Sequence, residues 1–407
     1  MRDKSSARLI LHLTHTDPRS DSRIRKAMEV ARDSFSQAVF GIGFADSRAE
    51  SNPEESKLRF IFLNEMRKDS RNELSFARRA INWLKVRVGY AGLWFPIAYR
   101  RMLKNVLESG ELCREVALIH VHDFTALRAG IMLKARTGAK LIYDAHELES
   151  GTNGLRRLDS FLIGHGERKL WKHIDGFITV SESIKDHYFS RHEAVPFELV
   201  LNSPNSRGKF LKSAELGTIR KETGTPPNKK LFVYLGHLVA GRGIELILEV
   251  FDSLPDDFCV AFLGTGDLED RIRASSLFGS RVHLVEPVNH DLVIQFISDA
   301  DAGLCLIEPV SLSDCYSLPN KLFECLFAGL PVVASRLPEI ESVFERYQVG
   351  LLTSLDVEEI RNAIIQVAIG NFTINQSAMK ELSWETQSER VRSLYSRFLP
   401  SDTSSTL

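Results

Sequence analysis

The sequence predicts an α/β protein built from two Rossmann-like domains, each a parallel sheet with helices on its faces. Three observations carry that expectation. Short β-rich runs alternate with helical patterns, and the alternation breaks once and then restarts. The break, 204–229, is rich in Gly and Pro and poor in apolar periodicity, as expected of a linker. Several runs end on His, Asp, Glu or Gly, at the carboxyl ends of strands where open parallel sheets bind ligands.

In the first half the runs are RLILHLTH, QAVFGIGF, RFIFL, VALIHVH, AKLIYDAHE and GFITVS, with a helix from about Ser22 after the first. Their β-branched and aromatic residues favour strands. The helical patterns between them call for parallel pairing through right-handed crossovers. The second half restarts at KKLFVYLGH and continues through FCVAFLG, RVHLVEP, AGLCLIEP and PVVAS. The expected division is 1–203 for the first domain, 204–229 for the linker and 230–383 for the second. A last helix follows over 384–399, and the tail 400–407 is expected to be disordered.

Composition agrees. A chain of 407 residues with 43% hydrophobic content can build two or three cores. A net charge of −1 gives no sign of a nucleic-acid partner. The five cysteines form no C-x-x-C pair, which predicts reduced thiols in a cytoplasmic protein rather than disulfides or a zinc site. The first apolar run is too short for a signal peptide, and the longest strongly apolar, charge-free run, 88–99, is too short to span a bilayer.

The densest chemistry lies in 301–335, DAGLCLIEPVSLSDCYSLPNKLFECLFAGLPVVAS. It reads as a strand, a polar loop, a helix opened by Pro319, and a second strand after Gly329. Proline suits the first helical turn, where its missing N–H would be unpaired anyway. The N–H groups of Asn320, Lys321 and Leu322 are then free at a positive helix end, a ready anion site. At 100° per residue Lys321, Glu324, Cys325 and Ala328 share the face expected to meet a ligand, and Leu322, Phe323, Leu326 and Phe327 the face expected to pack. Glu324 is placed to bind a diol. The alternative is an ordinary strand–helix–strand unit in which Glu324 merely complements the helix dipole.

That segment resembles the nucleotide-sugar site of retaining glycosyltransferases with the GT-B fold, of the group-1 or family-4 type. The resemblance rests on SLPNKLFE, Glu324 and the run from Ala328 to Ser335, and extends over nearly the whole chain. It implies two domains facing across a cleft, a C-terminal helix crossing back to the first domain, a ribose contact from Glu324 and a diphosphate at the helix start. Many members carry a second glutamate eight residues earlier, where this chain has Tyr316. The donor-side candidates here are Tyr316, Ser317, Asn320, Lys321, Leu322 and Glu324. A second phosphate candidate is 234–248, YLGHLVAGRGIELIL, where Gly236 and its neighbours let a ligand approach the backbone and Arg242 offers a charged fork. His237 stands at the family's first basic position and Arg242 at the second. Gly264 opens a G-x-G turn that also fits.

In the first domain LIHVHDF and LIYDAHELE end two strands with polar residues, and the resemblance puts His122, Asp123, His146 and Glu147 on the acceptor side as catalytic candidates. H-x-H plus H-E is also a conceivable metal pattern. Against it stands a buried His120 with a structural hydrogen bond, and neither metal nor cofactor is expected. Asp299 and Asp301 read as a cap and turn. Asp21 and Arg23 read either as cleft residues or as a helix cap and a surface charge.

The expected function is transfer of a sugar from a nucleoside diphosphate-sugar to a glycan or lipid-linked acceptor. The alternatives are an epimerase or hydrolase of the same fold and a non-catalytic nucleotide-sugar-binding partner. Residues 74–107 contain no acidic residue and interleave basic and aromatic side chains. They read equally as a peripheral contact with the inner face of a membrane and as helices with a solvated basic face.

Overall fold

The structure is a computed structural model that describes residues 9–19, 21–35, 37–44, 58–63, 115–204, 218–370, 372, 374 and 376–399. The basic segment 74–107 and the tail 400–407 lie outside the described residues. The chain divides into two compact units, Met1–Val200 with Ser388–Leu407, and Leu201–Gln387. Among the described residues no helix is long and apolar enough to cross a membrane.

The first unit is a seven-stranded sheet in the order β3-β2-β1-β4-β5-β6-β7. Its strands are β1 (Leu9–Leu13), β2 (Ala38–Phe44), β3 (Arg59–Leu63), β4 (Val116–His122), β5 (Lys140–Ala145), β6 (Gly176–Thr179) and β7 (Phe197–Leu199). Every pairing is parallel. Register sets its polar centre. His12 lies opposite His120 across β1 and β4, and His122 opposite Asp144 across β4 and β5. Side chains two apart on a strand share a face, so these four groups gather on one side of the sheet.

Helix α1 (Ser22–Ser34) follows β1, capped by Asp21, whose side chain accepts from the amides of Arg23 and Ile24. Then come α2 (Asp123–Thr137), α3 (Arg157–Trp171) and α4 (Glu182–Phe189). The C-terminal residues return to this unit. Tyr395 is fully buried with its hydroxyl 2.5 Å from His120 Nδ1. The Phe398 ring fills the space where a Cβ on Gly176 would lie, 2.8 Å away.

The second unit is a six-stranded, all-parallel sheet in the order β10-β9-β8-β11-β12-β13. Its strands are β8 (Lys230–Leu235), β9 (Phe258–Leu263), β10 (Val282–Val285), β11 (Ala302–Cys305), β12 (Val332–Ser335) and β13 (Gly350–Thr353). Its helices are α5 (Ile219–Thr223), α6 (Ile244–Ser253), α7 (Glu269–Arg273), α8 (Val293–Ile297), α9 (Leu312–Cys315), α10 (Asn320–Phe327), α11 (Pro338–Tyr347), α12 (Val357–Ile369) and α13 (Gln376–Leu382), and the last helix, α14 (Trp384–Ser396), belongs to the first unit from Ser388 on. Alternation along β8 splits the core in two. Leu231, Val233 and Leu235 pack with α8, α10 and α11, while Phe232 and Tyr234 pack with α6 and α12.

Two expectations change. The described part of the expected linker, 218–229, packs on the second unit. Ile219 is fully buried, and Arg220 Nε donates to the Asp299 carbonyl at 2.6 Å and its guanidinium pairs with Asp301. One buried isoleucine in a five-residue helix is too little to register as periodicity. Asp301 also accepts the amide of Leu231 at 2.7 Å, so this aspartate anchors β8. On α10 the face assignment is wrong for Cys325, which is buried against β11, where a Cβ on Gly303 would come 2.4 Å from its Sγ.

That contact predicts that Gly303→Ala costs about 1–3 kcal/mol, because sulfur and helix must move. Cys325→Ala in the same chain should recover part of the loss. Thermal unfolding of the single and double variants measures both, and a Gly303→Ala protein that melts like the native one contradicts the packing.

Candidate functional site

Strands β8 and β11 are neighbours whose chains leave toward opposite faces, so the second sheet reverses its order between them. Loops at such a switch point part and leave backbone exposed for a ligand. After β8 come Gly236, Gly241 and Gly243, all with positive φ. Gly243 must be glycine, because a Cβ there would lie 2.2 Å from the Leu306 carbonyl oxygen. The loop is pinned to the end of β11. The Glu308 amide donates to the Gly241 carbonyl at 3.1 Å, and Glu308 Oε1 accepts from the Gly243 amide at 3.2 Å. Gly264 is packing rather than ligand surface, since a Cβ on it would strike the Gly236 carbonyl oxygen at 1.9 Å.

Arg242 and Lys321 both belong to this site and both already have partners. Arg242 Nη1 is 3.1 Å from Asp314 Oδ1. Asp314 is buried, and its other oxygen accepts the Ser311 hydroxyl at 2.7 Å. Lys321 Nζ lies 3.7 Å from the centroid of the Tyr234 ring. Burial, with the charge of Arg242 added, lowers its pKa to about 8. The Tyr234 hydroxyl donates to the His237 carbonyl at 2.9 Å, while the His237 side chain is exposed.

Helix α10 has Pro319 as its N-cap and no side chain capping it. The Leu322 amide is not free as the sequence suggested, because it donates to the Pro319 carbonyl at 3.1 Å. The amides of Asn320 and Lys321 are left at the positive end of the helix. One turn on, Glu324 Oε1 is 3.3 Å from His290 Nδ1, a neighbour that no motif announced. Tyr316 closes α9, and Ser317 Oγ donates to the Asp314 carbonyl at 2.8 Å, so these two shape the loop before α10. Ser335, which ends the apolar run after α10, holds the end of β11 by accepting the Ile307 amide at 2.9 Å.

The first unit has its own switch point, between β1 and β4, and a buried polar cluster lies there. Arg23 binds Asp144 through two nitrogens, at 3.1 and 2.8 Å, and donates to the Val200 carbonyl at 2.7 Å. Arg23 is therefore not a surface charge, while Asp21 is the helix cap. His12 Nδ1 lies 3.1 Å from His122 Nε2, and His122 Nδ1 lies 3.3 Å from His146 Nε2. Asp123 is a non-glycine residue at φ 62°, and Oδ1 of its side chain accepts the His146 amide at 3.3 Å. Glu147 is exposed in the loop beyond β5.

Burial holds His12 and His120 below the usual histidine range and takes His122 down to about 3. His146 goes the other way. Its burial is outweighed by Asp123 and Asp144, which raise it to about 9. Asp144 is held well below the carboxylate range, its own burial being overcome by Arg23 and His146. Glu149, which the sequence reading passed over, is pushed up to about 8 by burial and by Asp123 and Glu147. His12 and Asp144 were missed as well. They join the cluster through strand register, which has no signature in a single sequence.

Comparison with known proteins agrees with the fold. Residues 229–369 match the family described as "Glycosyl transferases group 1" and residues 58–201 match "Glycosyltransferase Family 4". The chain is 29% identical over 148 residues to a putative teichuronic acid biosynthesis glycosyltransferase of Bacillus subtilis (strain 168), covering 36% of this chain and 35% of that protein. It is 21% identical over 296 residues to the D-inositol 3-phosphate glycosyltransferase of Mycobacteroides abscessus, covering 69% and 66%. Both matches thus span less than two thirds of the relative's length. The structure of Anabaena HepE in complex with UDP-glucose superposes with a TM-score of 0.66 over 96% of this chain and 98% of that one, at 13% identity. Residues 58–201 and 229–369 thus each match a glycosyltransferase domain, and the fold is of GT-B type.

The Lys321 ammonium sets a pH dependence for any diphosphate at the start of α10. Below pH 8 the charge is in place, and above it binding must take up a proton. Diphosphate affinity should therefore fall above pH 8, by at most about tenfold per pH unit. Calorimetric titration between pH 7 and 9.5 tests this, and Lys321→Met should bind weakly with a flat profile. A native protein whose affinity stays level to pH 9.5 contradicts the placement.

Proposed function

We propose that the protein transfers a sugar from a nucleoside diphosphate-sugar to a hydroxyl of a glycan or lipid-linked acceptor, with retention at the anomeric carbon. The observation that carries this reading is the uncapped start of α10 with Lys321 beside it and Glu324 one turn further in. Helix-end amides and a lysine suit a diphosphate, and a carboxylate suits a ribose diol. A leaving diphosphate gains negative charge as the glycosidic bond breaks. Donors already fixed around it stabilise that charge without reorganising. Arg242 would join by exchanging Asp314 for a phosphate oxygen. The donor is supported by HepE, whose structures hold UDP, UDP with glucose, and UDP-glucose. A polymer acceptor is supported by relatives named for teichuronic and colanic acid biosynthesis.

On the first unit we assign the acceptor-side role to His122, Asp123 and His146, with Glu147 at its rim. His146 and Asp123 are the partly exposed members of the cluster and can meet an acceptor hydroxyl or its anionic neighbour. Retention follows the family resemblance. Release of nucleoside diphosphate from a panel of labelled donors, with and without glycan acceptors, tests the reading. Turnover only with acceptor supports a transferase, turnover without acceptor a hydrolase, and binding without turnover a sensor.

Glu324→Gln separates the site from the fold. The variant keeps shape and helix propensity but loses the charge, and a charge-assisted bond contributes about 1.5–3 kcal/mol. Donor affinity should fall by roughly one to two orders of magnitude, with little change in melting temperature without ligand. Normal donor binding together with melting several degrees earlier would make Glu324 a structural residue.

A further inference from the structure

We propose that the first unit binds a divalent transition-metal ion, zinc by its ligand set, between His122, Asp144 and His146. Three atoms face one point. His122 Nδ1 and His146 Nε2 are 3.3 Å apart, His146 Nε2 and Asp144 Oδ2 3.4 Å, and His122 Nδ1 and Asp144 Oδ2 3.6 Å. This near-equilateral triangle has its centre about 2.0 Å from each corner. Zinc bonds to imidazole nitrogen and carboxylate oxygen run about 2.0–2.2 Å, so an ion just above the plane reaches all three with tetrahedral spacing.

Hydrogen bonding alone accounts for the triangle less well. Its edges all exceed the usual range of about 2.7–3.2 Å. His120 Nε2 also lies 3.4 Å from the same oxygen, so three imidazoles crowd one carboxylate atom. The neighbouring group of His12, His120 and His122 is a weaker candidate, because its nitrogens are engaged with one another and with Tyr395.

The surroundings are those of a supported metal site. Each ligand residue has a further partner: His122 Nε2 meets His12 at 3.1 Å, His146 Nδ1 meets Asp123 Oδ2 at 3.5 Å, and Arg23 donates to both oxygens of Asp144, at 2.8 Å to Oδ1 and 3.1 Å to Oδ2. His122 and Asp144 are paired across adjacent strands, which fixes two of the ligands on rigid backbone. Arg23 pairs with Asp144, and a second carboxylate, Asp123, stands against His146, so a further negative group lies beside the pocket. Two imidazoles and one carboxylate suit zinc, iron(II) or nickel rather than magnesium or calcium, which prefer oxygen. The His146 side chain is 19% exposed, against 0% for His122 and 3% for Asp144, so the fourth position opens on its side. The sequence grouped H-x-H with H-E. The structure instead joins His122 to D-x-H, through the aspartate two residues before His146.

The test uses the full chain, stripped with chelator, desalted and then offered zinc chloride, magnesium chloride or cobalt(II) chloride. One zinc per chain should survive gel filtration, magnesium should not, and cobalt should give the strong visible absorption of a four-coordinate ion. His146→Gln should retain no zinc. Asp123→Asn, altered only in the outer layer, should bind zinc about 10–100-fold more weakly in calorimetry, with both variants checked for native circular dichroism. Native protein that retains no zinc overturns the proposal, as does His146→Gln or Asp123→Asn that binds zinc with native affinity. In either case the cluster is a proton-bearing network centred on His146.

Discussion

A parallel strand must hand its chain to a helix on one face of the sheet or the other. Where two adjacent strands hand over to opposite faces, their loops part, and the backbone between them has no neighbour of its own. Both sheets here contain one such reversal, at β1 and β4 and at β8 and β11. The chemistry of the chain collects at those two places. The glycine loop and the start of α10 lie at the second, and the buried cluster of histidines and aspartate at the first. Neither could be moved along its sheet without closing over, so the topology constrains the function before any side chain is chosen.

The second site is built with its charges already committed inside the chain. Arg242 rests on Asp314, Lys321 on the Tyr234 ring and Glu324 against His290. A cation over an aromatic ring gains roughly 0.5–2 kcal/mol, and the pair of Arg242 with Asp314 is only partly exposed. Under the proposed function, a diphosphate and a ribose would exchange these contacts for stronger charge-assisted ones rather than meet bare ions. Such partners hold the long side chains near their working positions, which limits the entropy lost on binding. In the first unit the same economy is absent. Arg23 and Asp144 are both almost wholly buried, and such a pair holds only because each also satisfies other groups around it.

Much of the fold was legible because it is written locally. Alternating β-rich and helical stretches gave two parallel sheets, Pro319 marked the start of α10, and the glycines after β8 marked a loop with positive φ. The residues of the donor candidate are close in sequence, which is why Lys321, Glu324 and Arg242 could be named. What could not be read depends on register or on distant pairing. His12, Asp144 and Tyr395 meet only because three separate elements stack, and nothing around His12 distinguishes it from any strand histidine. His290 reaches Glu324 from a turn with no motif. The short α5 was hidden inside a segment whose glycines and prolines pointed to a linker. Cys325 shows the limit of a helical wheel, since it packs into the same core as Leu322, Phe323 and Leu326 where a glycine on the adjoining strand makes room for it.

The central claim is that the start of α10 and the glycine loop together receive the diphosphate of a donor. Amide hydrogen exchange, read residue by residue with and without a saturating nucleoside diphosphate, tests it most directly. The amides of Asn320 and Lys321 are uncapped in the free chain and should exchange quickly. With ligand they should slow together with amides of 236–243, while the first unit's sheet stays as it was. Protection confined to other segments, or none at 320–321 under saturating ligand, would contradict the site.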